Sequence, residues 1–349
     1  MADSLAFRPM TAEPGDLARF KRSFDRNDSP RRADLVAWQY DRADAPLLAD
    51  LAVQPEDGEI AGVYAVAPVA MAVGGRRVWG AQSLDTLTDA RHRGRGLFKT
   101  LARSVYGRCA EAGVALVYGF PNANSAPGFF GSLGWTEIAP VPFKVAALRS
   151  RYLLRRIPVV GALLGRLPDV PLRRAAPPHP SVRPLGGFDE AADVWADVRA
   201  GVGVGVERDA AYLRWRFADK PGEAYTALGF WDGPRLAGYV VFAVKEKHGG
   251  RVGYVMEMLH RPGRSDAGRA LLAAALAGMA EQRADVALAW VFDHSPTAAA
   301  FRAAAFRTLP ERLRPIRLHF GALVLDEDER ARLSDARQWY LSYCDSDTV

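Results

Sequence analysis

The residues with the clearest chemical potential are Arg91-His92-Arg93-Gly94-Arg95-Gly96-Leu97-Phe98. Glycines spaced by one residue let backbone N–H groups turn toward an anion, and three arginines flank them. A helix beginning at Leu97 would add about half a positive charge at its N-terminus. Together these features make a cradle for a phosphate or pyrophosphate. Two familiar alternatives fail. The Gly-x-x-x-x-Gly-Lys-Ser/Thr loop is missing, and the Gly-x-Gly-x-x-Gly fingerprint fails in spacing and in first-strand position. The same arginines could also serve as a plain helix cap. Just upstream, Asp85 offers a carboxylate that could accept a proton or simply hydrogen-bond its own loop.

The surrounding pattern supplies the elements that must position these residues. Leu97, Leu101, Val105 and Cys109 recur every four residues and predict one face of a helix over 97–112, stopped by Gly113. Before the loop, 78–88 reads as a strand. After the helix, 114–120 reads as a short buried strand. A second helix is expected over 125–133, with Pro127 in its first turn, where a missing N–H costs little. Gly134-Trp135 then turns the chain into a last strand.

This order occurs twice. Trp38-Gln39-Tyr40 matches Trp215-Arg216-Phe217, and Ala61-Gly62-Val63-Tyr64 matches Ala237-Gly238-Tyr239-Val240. The Gly74-Gly75-Arg76 turn matches Gly249-Gly250-Arg251, and adjacent glycines between strands suit a tight hairpin. The matches are nearly colinear, so a duplicated domain is expected. The predicted organisation is a first domain over 1–148, a basic Pro/Arg-rich linker over 149–180 and a second domain over 181–349. The linker carries Arg149, Arg151, Arg155, Arg156, Arg166, Arg173 and Arg174. Its run from Tyr152 to Leu167 reads as a helical connector rather than a membrane-surface helix over 149–174, since no lipidation signal accompanies the arginines.

Composition narrows the function classes. Of 349 residues, 49% are hydrophobic and 25% charged, ordinary globular values that exclude a disordered tail or a coiled coil. Net charge is +6, and six of the 46 cationic residues are lysine, the rest arginine. The arginines are scattered and no helix-turn-helix or zinc pattern appears, so nucleic acid is not an expected partner. Cys109 and Cys344 form no Cys-x-x-Cys pair, so neither a disulfide framework nor a metal site is expected. Met1–Met10 lacks a long apolar core and no apolar run spans a membrane, so a reducing cytoplasm is the expected compartment.

The loop resembles the signature of the GNAT superfamily of acyl-CoA transferases, Arg/Gln-x-x-Gly-x-Gly/Ala, met here by Arg91, Gly94 and Gly96. Gln82–Asp89 is similar to that family's acyl-CoA-binding strand, and Gly119–Ser125 with Phe129–Trp135 to the strand and helix that follow. The resemblance covers residues 5–145 well and 182–310 weakly, and looks most like bacterial two-domain members, some of which act on amino sugars of surface polysaccharides. It implies an α/β (α+β mixed sheet) fold class with two tandem GNAT-like domains, the second degenerate. It also implies an N-acyltransferase that moves an acetyl or short acyl group from acetyl-CoA or another acyl-CoA to a primary amine, in a ternary complex without a metal. Acceptors suited to the arginine excess are anionic, such as nucleotide-linked amino sugars.

Site roles follow from the resemblance, position by position. Backbone amides of Arg93, Gly94, Arg95 and Gly96, with Arg91 and Leu97, would hold the CoA pyrophosphate. The backbone of Leu84, Asp85, Thr86, Leu87 and Thr88 would pair with the pantetheine arm and stabilise an oxyanion. Asn124 would hydrogen-bond near the pantetheine or sulfur, and Phe129 and Phe130 would line the cofactor. Asp85 is the first base candidate. The chain departs from the family at Phe130, where many members place the tyrosine that acts as general acid. Ser125 could protonate the thiolate instead, or a thiol of pKa about 8.5 could leave through water; His92 could act as the acid but reads rather as a surface loop residue. In the second copy Arg264-Ser265-Asp266-Ala267-Gly268-Arg269 puts Asp266 where the first glycine stood, so that copy is not expected to bind CoA. Some tandem members thread their C-terminus into the active site, and by that analogy Asp345 or Asp347 would handle the acceptor amine. The missing tyrosine leaves an alternative, a catalytically silent acyl-CoA sensor.

Overall fold

A computed structural model describes residues 5–154, 168–173, 177–247, 249–314 and 316–349. The chain forms two compact units. Unit 1 comprises Met1–Pro140, Asp219–Gly222 and Leu318–Gln338, and unit 2 comprises Val141–Ala218, Glu223–Arg317 and Trp339–Val349.

Unit 1 is a mixed sheet covered on both faces. Its strands are β1 (Ala6–Pro9), β2 (Leu48–Val53), β3 (Ile60–Val73), β4 (Arg76–Thr88), β5 (Val114–Gly119) and β6 (Thr136–Pro140). Neighbours run β1-β2-β3-β4-β5, then the strand His319–Val324, then β6. Helices α1 (Pro14–Asp25) and α2 (Ala33–Tyr40) pack through Phe20, Phe24, Val36 and Tyr40 onto Leu51, Val63 and Ala65. Helices α3 (Leu97–Glu111) and α4 (Ala126–Ser132) pack on the other face through Leu97, Leu101, Val105, Cys109 and Phe129. Helices on both faces explain why β2 and β5 are buried at every position instead of alternating. The predicted apolar face of α3 is the buried one. Arg108 in its last turn fixes it to the sheet, donating to the buried Asp50 carboxylate at 2.6 Å and to the Leu47 and Ala49 carbonyls. β3 and β4 form a hairpin turning at Gly74 and Gly75, with φ of 56° and 80°. Both values lie in the left-handed region that a two-residue turn of this kind requires.

Unit 2 repeats the plan. Strands Thr226–Asp232, Arg235–Lys247 and Gly250–His260 form an antiparallel meander, and Val286–Trp290 joins in parallel. The helix Ser265–Glu281 buries Leu271, Leu272, Ala275 and Met279. The described ends of the linker belong here, with Arg149 on Asp169 at 2.6 Å and Val170 N–H on Ser150 Oγ. The basic run 155–167, and with it most of the connector helix, lies outside the described residues.

The units are not the contiguous stretches 1–148 and 181–349 expected from the repeat. Between β5 and β6 of unit 1 sits His319–Val324, a strand from late in the chain, antiparallel to both. The strand that follows β6 in sequence, Phe143–Ala147, instead completes the sheet of unit 2 against Val286–Trp290 and Arg307–Thr308. The repeat pattern shows that two copies exist, but alternation alone does not say which sheet a final strand joins.

The C-terminal tail is docked in unit 2. Tyr343 stacks on Trp290 with centroids 4.4 Å apart and meets the edge of Tyr254 at 5.3 Å. Beneath it Arg208, 0% exposed, bonds Glu257 at 2.9 Å and Asp345 at 2.7 Å. Burial pushes the Asp345 carboxyl up, opposed by the Arg208 charge.

Two outcomes follow. A fragment ending at residue 148 lacks the strand between β5 and β6, so it should show no cooperative thermal transition, whereas the full chain should. Arg208→Met strands two buried carboxylates and should cost about 3–5 kcal/mol. Denaturant titration followed by tryptophan fluorescence would measure it, and an unshifted midpoint would contradict the role given to Arg208.

Candidate active site

The site begins where β4 parts from β5. The two strands pair in parallel from Trp79↔Val114 to Gln82↔Tyr118. From Ser83 to Thr88, β4 pairs with β3 alone. The register also shifts there, with Ser83 opposite Val66 but Thr86 opposite Tyr64, so Leu84 and Asp85 face a single β3 residue in a bulge. A bulge of this kind bends the strand and raises its twist. It leaves a backbone edge over 84–88, half-buried and unpaired with β5. Gly119 ends β5 beside this point, and a Cβ there would lie 3.3 Å from the Ser83 carbonyl oxygen.

The phosphate loop follows β4 directly. Asp89 accepts the Arg91 backbone N–H at 3.0 Å and the Arg91 guanidinium at 3.0 and 3.2 Å. The Arg91 hydrogen bonds hold the Asp89 carboxyl well below the usual carboxylate range. Asn27 secures the same turn by donating to Asp89 and accepting the Ala90 N–H at 3.1 Å. Arg91, expected at the pyrophosphate, is therefore a tether for the loop. Beyond it Gly94 and Gly96 have φ of 78° and 76°, and a Cβ at either would meet nothing within 4 Å. α3 starts at Leu97 with Gly96 as its N-cap and no side-chain cap. Its first amides and the exposed Arg93 and Arg95 leave an open, positively charged surface that could hold an anion. Leu97 contributes backbone only, since its side chain is in the core. His92 is not the surface residue expected; it is 4% exposed beneath the loop.

Asp85 sits on the bulge with its side chain 11% exposed. Arg31 donates to one carboxylate oxygen at 2.5 Å and the Tyr40 hydroxyl to the other at 2.8 Å. Sequence reasoning missed both donors because the α1–α2 loop, which carries Arg31, and α2, which carries Tyr40, hold no motif, and only the fold brings them to β4.

After β5, Asn122 Oδ1 accepts the N–H groups of Asn124 and Ser125 at 2.9 and 3.1 Å. The Ser125 hydroxyl closes this turn by accepting the Asn122 N–H at 3.1 Å, and its own hydrogen is directed at the Asn122 carbonyl and Oδ1 oxygens, each 3.4 Å away. Asn124 is exposed. Phe129 lies in the core against Trp135, Phe98 and Tyr64, with centroids 4.7, 5.4 and 6.4 Å away. Its expected place lining the cofactor is replaced by a packing role. Phe130 packs over Gly321, where a Cβ would come within 2.5 Å of its ring, and beside His319 at 5.9 Å.

A polar chain crosses the otherwise apolar core under α3 and α4. Trp135 Nε1 donates to the Tyr106 hydroxyl at 2.8 Å, which is 2.6 Å from the Tyr64 hydroxyl, itself 3.0 Å from Ser83 Oγ. No motif announces it, because the residues come from β3, β4, α3 and the turn before β6.

In unit 2 the corresponding groove is occupied by the protein itself. The strand Gly250–His260 pairs with Val286–Trp290 only from Val252 to Tyr254. Past that point the tail packs in, with Tyr340 and Ser342 donating to Glu257 at 2.5 and 2.9 Å. At the N-terminus of the helix Ser265–Glu281, Arg264 binds the Asp266 carboxylate at 3.1 and 3.0 Å. Asp345 is sealed in unit 2 on Arg208 and is 2% exposed, whereas Asp347 is exposed.

Residues 12–138 match the model of the acetyltransferase (GNAT) domain. No curated protein matches the sequence. Among solved structures, Saccharomyces cerevisiae N-myristoyltransferase with bound myristoyl-CoA and inhibitors aligns over 93% of this chain and 81% of its own at 10% identity, TM-score 0.61. A probable N-acyltransferase from Enterococcus faecalis V583 aligns over 95% and 74% at 12% identity, TM-score 0.63. A GCN5-related N-acetyltransferase from Kribbella flavida aligns over 95% and 74% at 16% identity, TM-score 0.58. These likenesses establish a shared fold across both units. Residues 12–138 are therefore similar to a GNAT acetyltransferase domain, and the chain shares its fold with these solved N-acyltransferase structures.

Proposed function

We propose that unit 1 transfers an acetyl or short acyl group from acyl-CoA to a primary amine, by direct attack in a ternary complex. The observation that carries this reading is the opening of β4 from β5 directly beside the open cradle at Gly94–Leu97. A linear cofactor with an anionic middle and a peptide-like arm needs that combination. The cradle amides, with Arg93 and Arg95, would hold the pyrophosphate. The free edge of 84–88 would hydrogen-bond the pantetheine amides, and one of its N–H groups would polarise the thioester carbonyl. Asn124, exposed in the turn after β5, is proposed to hydrogen-bond the pantetheine or sulfur.

Asp85 is proposed as the group that takes the proton of the attacking ammonium, held in place by Arg31 and Tyr40. The acceptor class we favour is an amine that also carries negative charge, such as a nucleotide-linked amino sugar. Arg31 beside Asp85, together with the net charge of +6, supports it. Unit 2 is proposed to bind no CoA, because its groove holds the tail and its loop presents Asp266.

The test is release of free thiol from acetyl-CoA across a panel of amino sugars, nucleotide-linked amino sugars and cationic amines. Cys109 and Cys344 give little background, since burial pushes both thiols up to about 12. Release that depends on an anionic amine supports the proposal. Tight CoA binding with no release on any amine would establish the alternative, an acyl-CoA sensor. Asp85→Asn should lower kcat by about 10²–10⁴-fold with CoA affinity unchanged. Wild-type turnover in that variant would remove Asp85 from the mechanism.

A further inference from the structure

We propose that Ser83 supplies the hydrogen bond that receives the departing CoA thiolate, a role the chain cannot fill at Phe130. The inference rests on the acyltransferase reading above and adds a residue to it.

The geometry fixes the direction of the polar chain. Trp135 Nε1 can only donate, so Tyr106 accepts from it. The Tyr106 hydrogen then has one remaining oxygen to reach, that of Tyr64 at 2.6 Å. Tyr64, 0% exposed, must in turn donate to Ser83 Oγ at 3.0 Å. This is the arrangement in which no buried hydroxyl hydrogen goes unpaired. It leaves the hydrogen of Ser83 without an acceptor among the described residues. A hydroxyl that accepts from such a chain is polarised and becomes a better donor.

The placement of Ser83 matches the need. It is the first β4 residue past the last pair with β5, and it is partly exposed while Tyr64, Tyr106 and Trp135 are buried. Its side chain lies on the face covered by α3 and α4, since its partner Tyr64 belongs to that core. The anion cradle opens α3 on the same face. A pantetheine arm running from the cradle into the gap would therefore bring its sulfur past Ser83. Gly119 keeps the place open, since a Cβ there would come 3.4 Å from that of Ser83.

The step balances without a further reactant. The amine nitrogen forms a bond to the thioester carbon, and the carbon–sulfur bond breaks with its electron pair on sulfur. The ammonium proton passes to Asp85 and then to solvent. Sulfur leaves as the thiolate, accepting the Ser83 hydrogen bond, and is protonated from water after release. Tyr64, Tyr106 and Trp135 are positioning residues that neither gain nor lose a proton.

Titration of protein-bound CoA by its thiolate absorbance, with the free protein subtracted, tests the contact without knowledge of the acceptor. Bound CoA should ionise at lower pH on the wild-type protein than in solution. Ser83→Ala should raise that pKa by about one unit, a tenfold change in ionisation. Ser83→Thr should restore it, and Tyr64→Phe should give a partial shift. CoA affinity at acidic pH should stay unchanged in Ser83→Ala, while the thermal midpoint should fall modestly because the buried Tyr64 hydroxyl loses its acceptor. Once an acceptor is found, single-turnover acyl transfer should fall about 10–100-fold in Ser83→Ala with little change in KM. Coincident titrations of Ser83→Ala and wild type would overturn the proposal. Failure of the wild-type protein to bind CoA would overturn the acyltransferase reading itself, an outcome read separately.

Discussion

The structure of unit 1 depends on a parallel pair of strands that stops pairing partway along. β4 and β5 share hydrogen bonds only as far as Gln82 and Tyr118. Beyond that point an unpaired backbone edge persists inside a folded domain, which a sheet normally avoids by pairing or covering it. The edge is tolerable if a ligand with amide groups completes it. The neighbouring features then serve the opening. The bulge at Leu84–Asp85 bends β4 away, Gly119 lets β5 end close to Ser83, and α3 starts with an uncapped, glycine-flanked N-terminus next door.

In unit 2 the same opening is filled from within. Its central strands part after Tyr254, and the protein fills the space with its own C-terminus. Tyr343 takes the apolar contact on Trp290, while Arg208 brings Glu257 and Asp345 together under it. A buried cation with two carboxylates is costly to desolvate, so each partner depends strongly on the others. The carboxylate Asp266 at the start of the helix Ser265–Glu281, bound by Arg264, occupies the end where a phosphate would otherwise be drawn. The two copies thus satisfy one geometric constraint in two ways, one with an open groove and one with a plug.

Much of this was legible in the sequence, where local chemistry dictates local form. Gly94 and Gly96, the four-residue spacing along α3 and the Gly74-Gly75 hairpin all signal their conformations directly. The GNAT resemblance rested on those same residues. What stayed hidden depends on long-range topology. Nothing in the alternation of His319–Val324 says that it pairs with β5, or that Phe143–Ala147 leaves for the other sheet. The partners of Asp85 and the Trp135–Tyr106–Tyr64–Ser83 chain arise from elements far apart in sequence, so no spacing could reveal them. Arg91 and Phe129 carry the right residue types, but the fold uses one as a loop tether and the other as core.

Calorimetric titration of the full chain with CoA tests the central claim most directly. The account predicts one CoA per chain, with binding weakened sharply by Gly96→Val, which forces a branched side chain into a left-handed backbone at a strain of about 1–2 kcal/mol. Two CoA molecules per chain, or wild-type affinity in Gly96→Val, would contradict it.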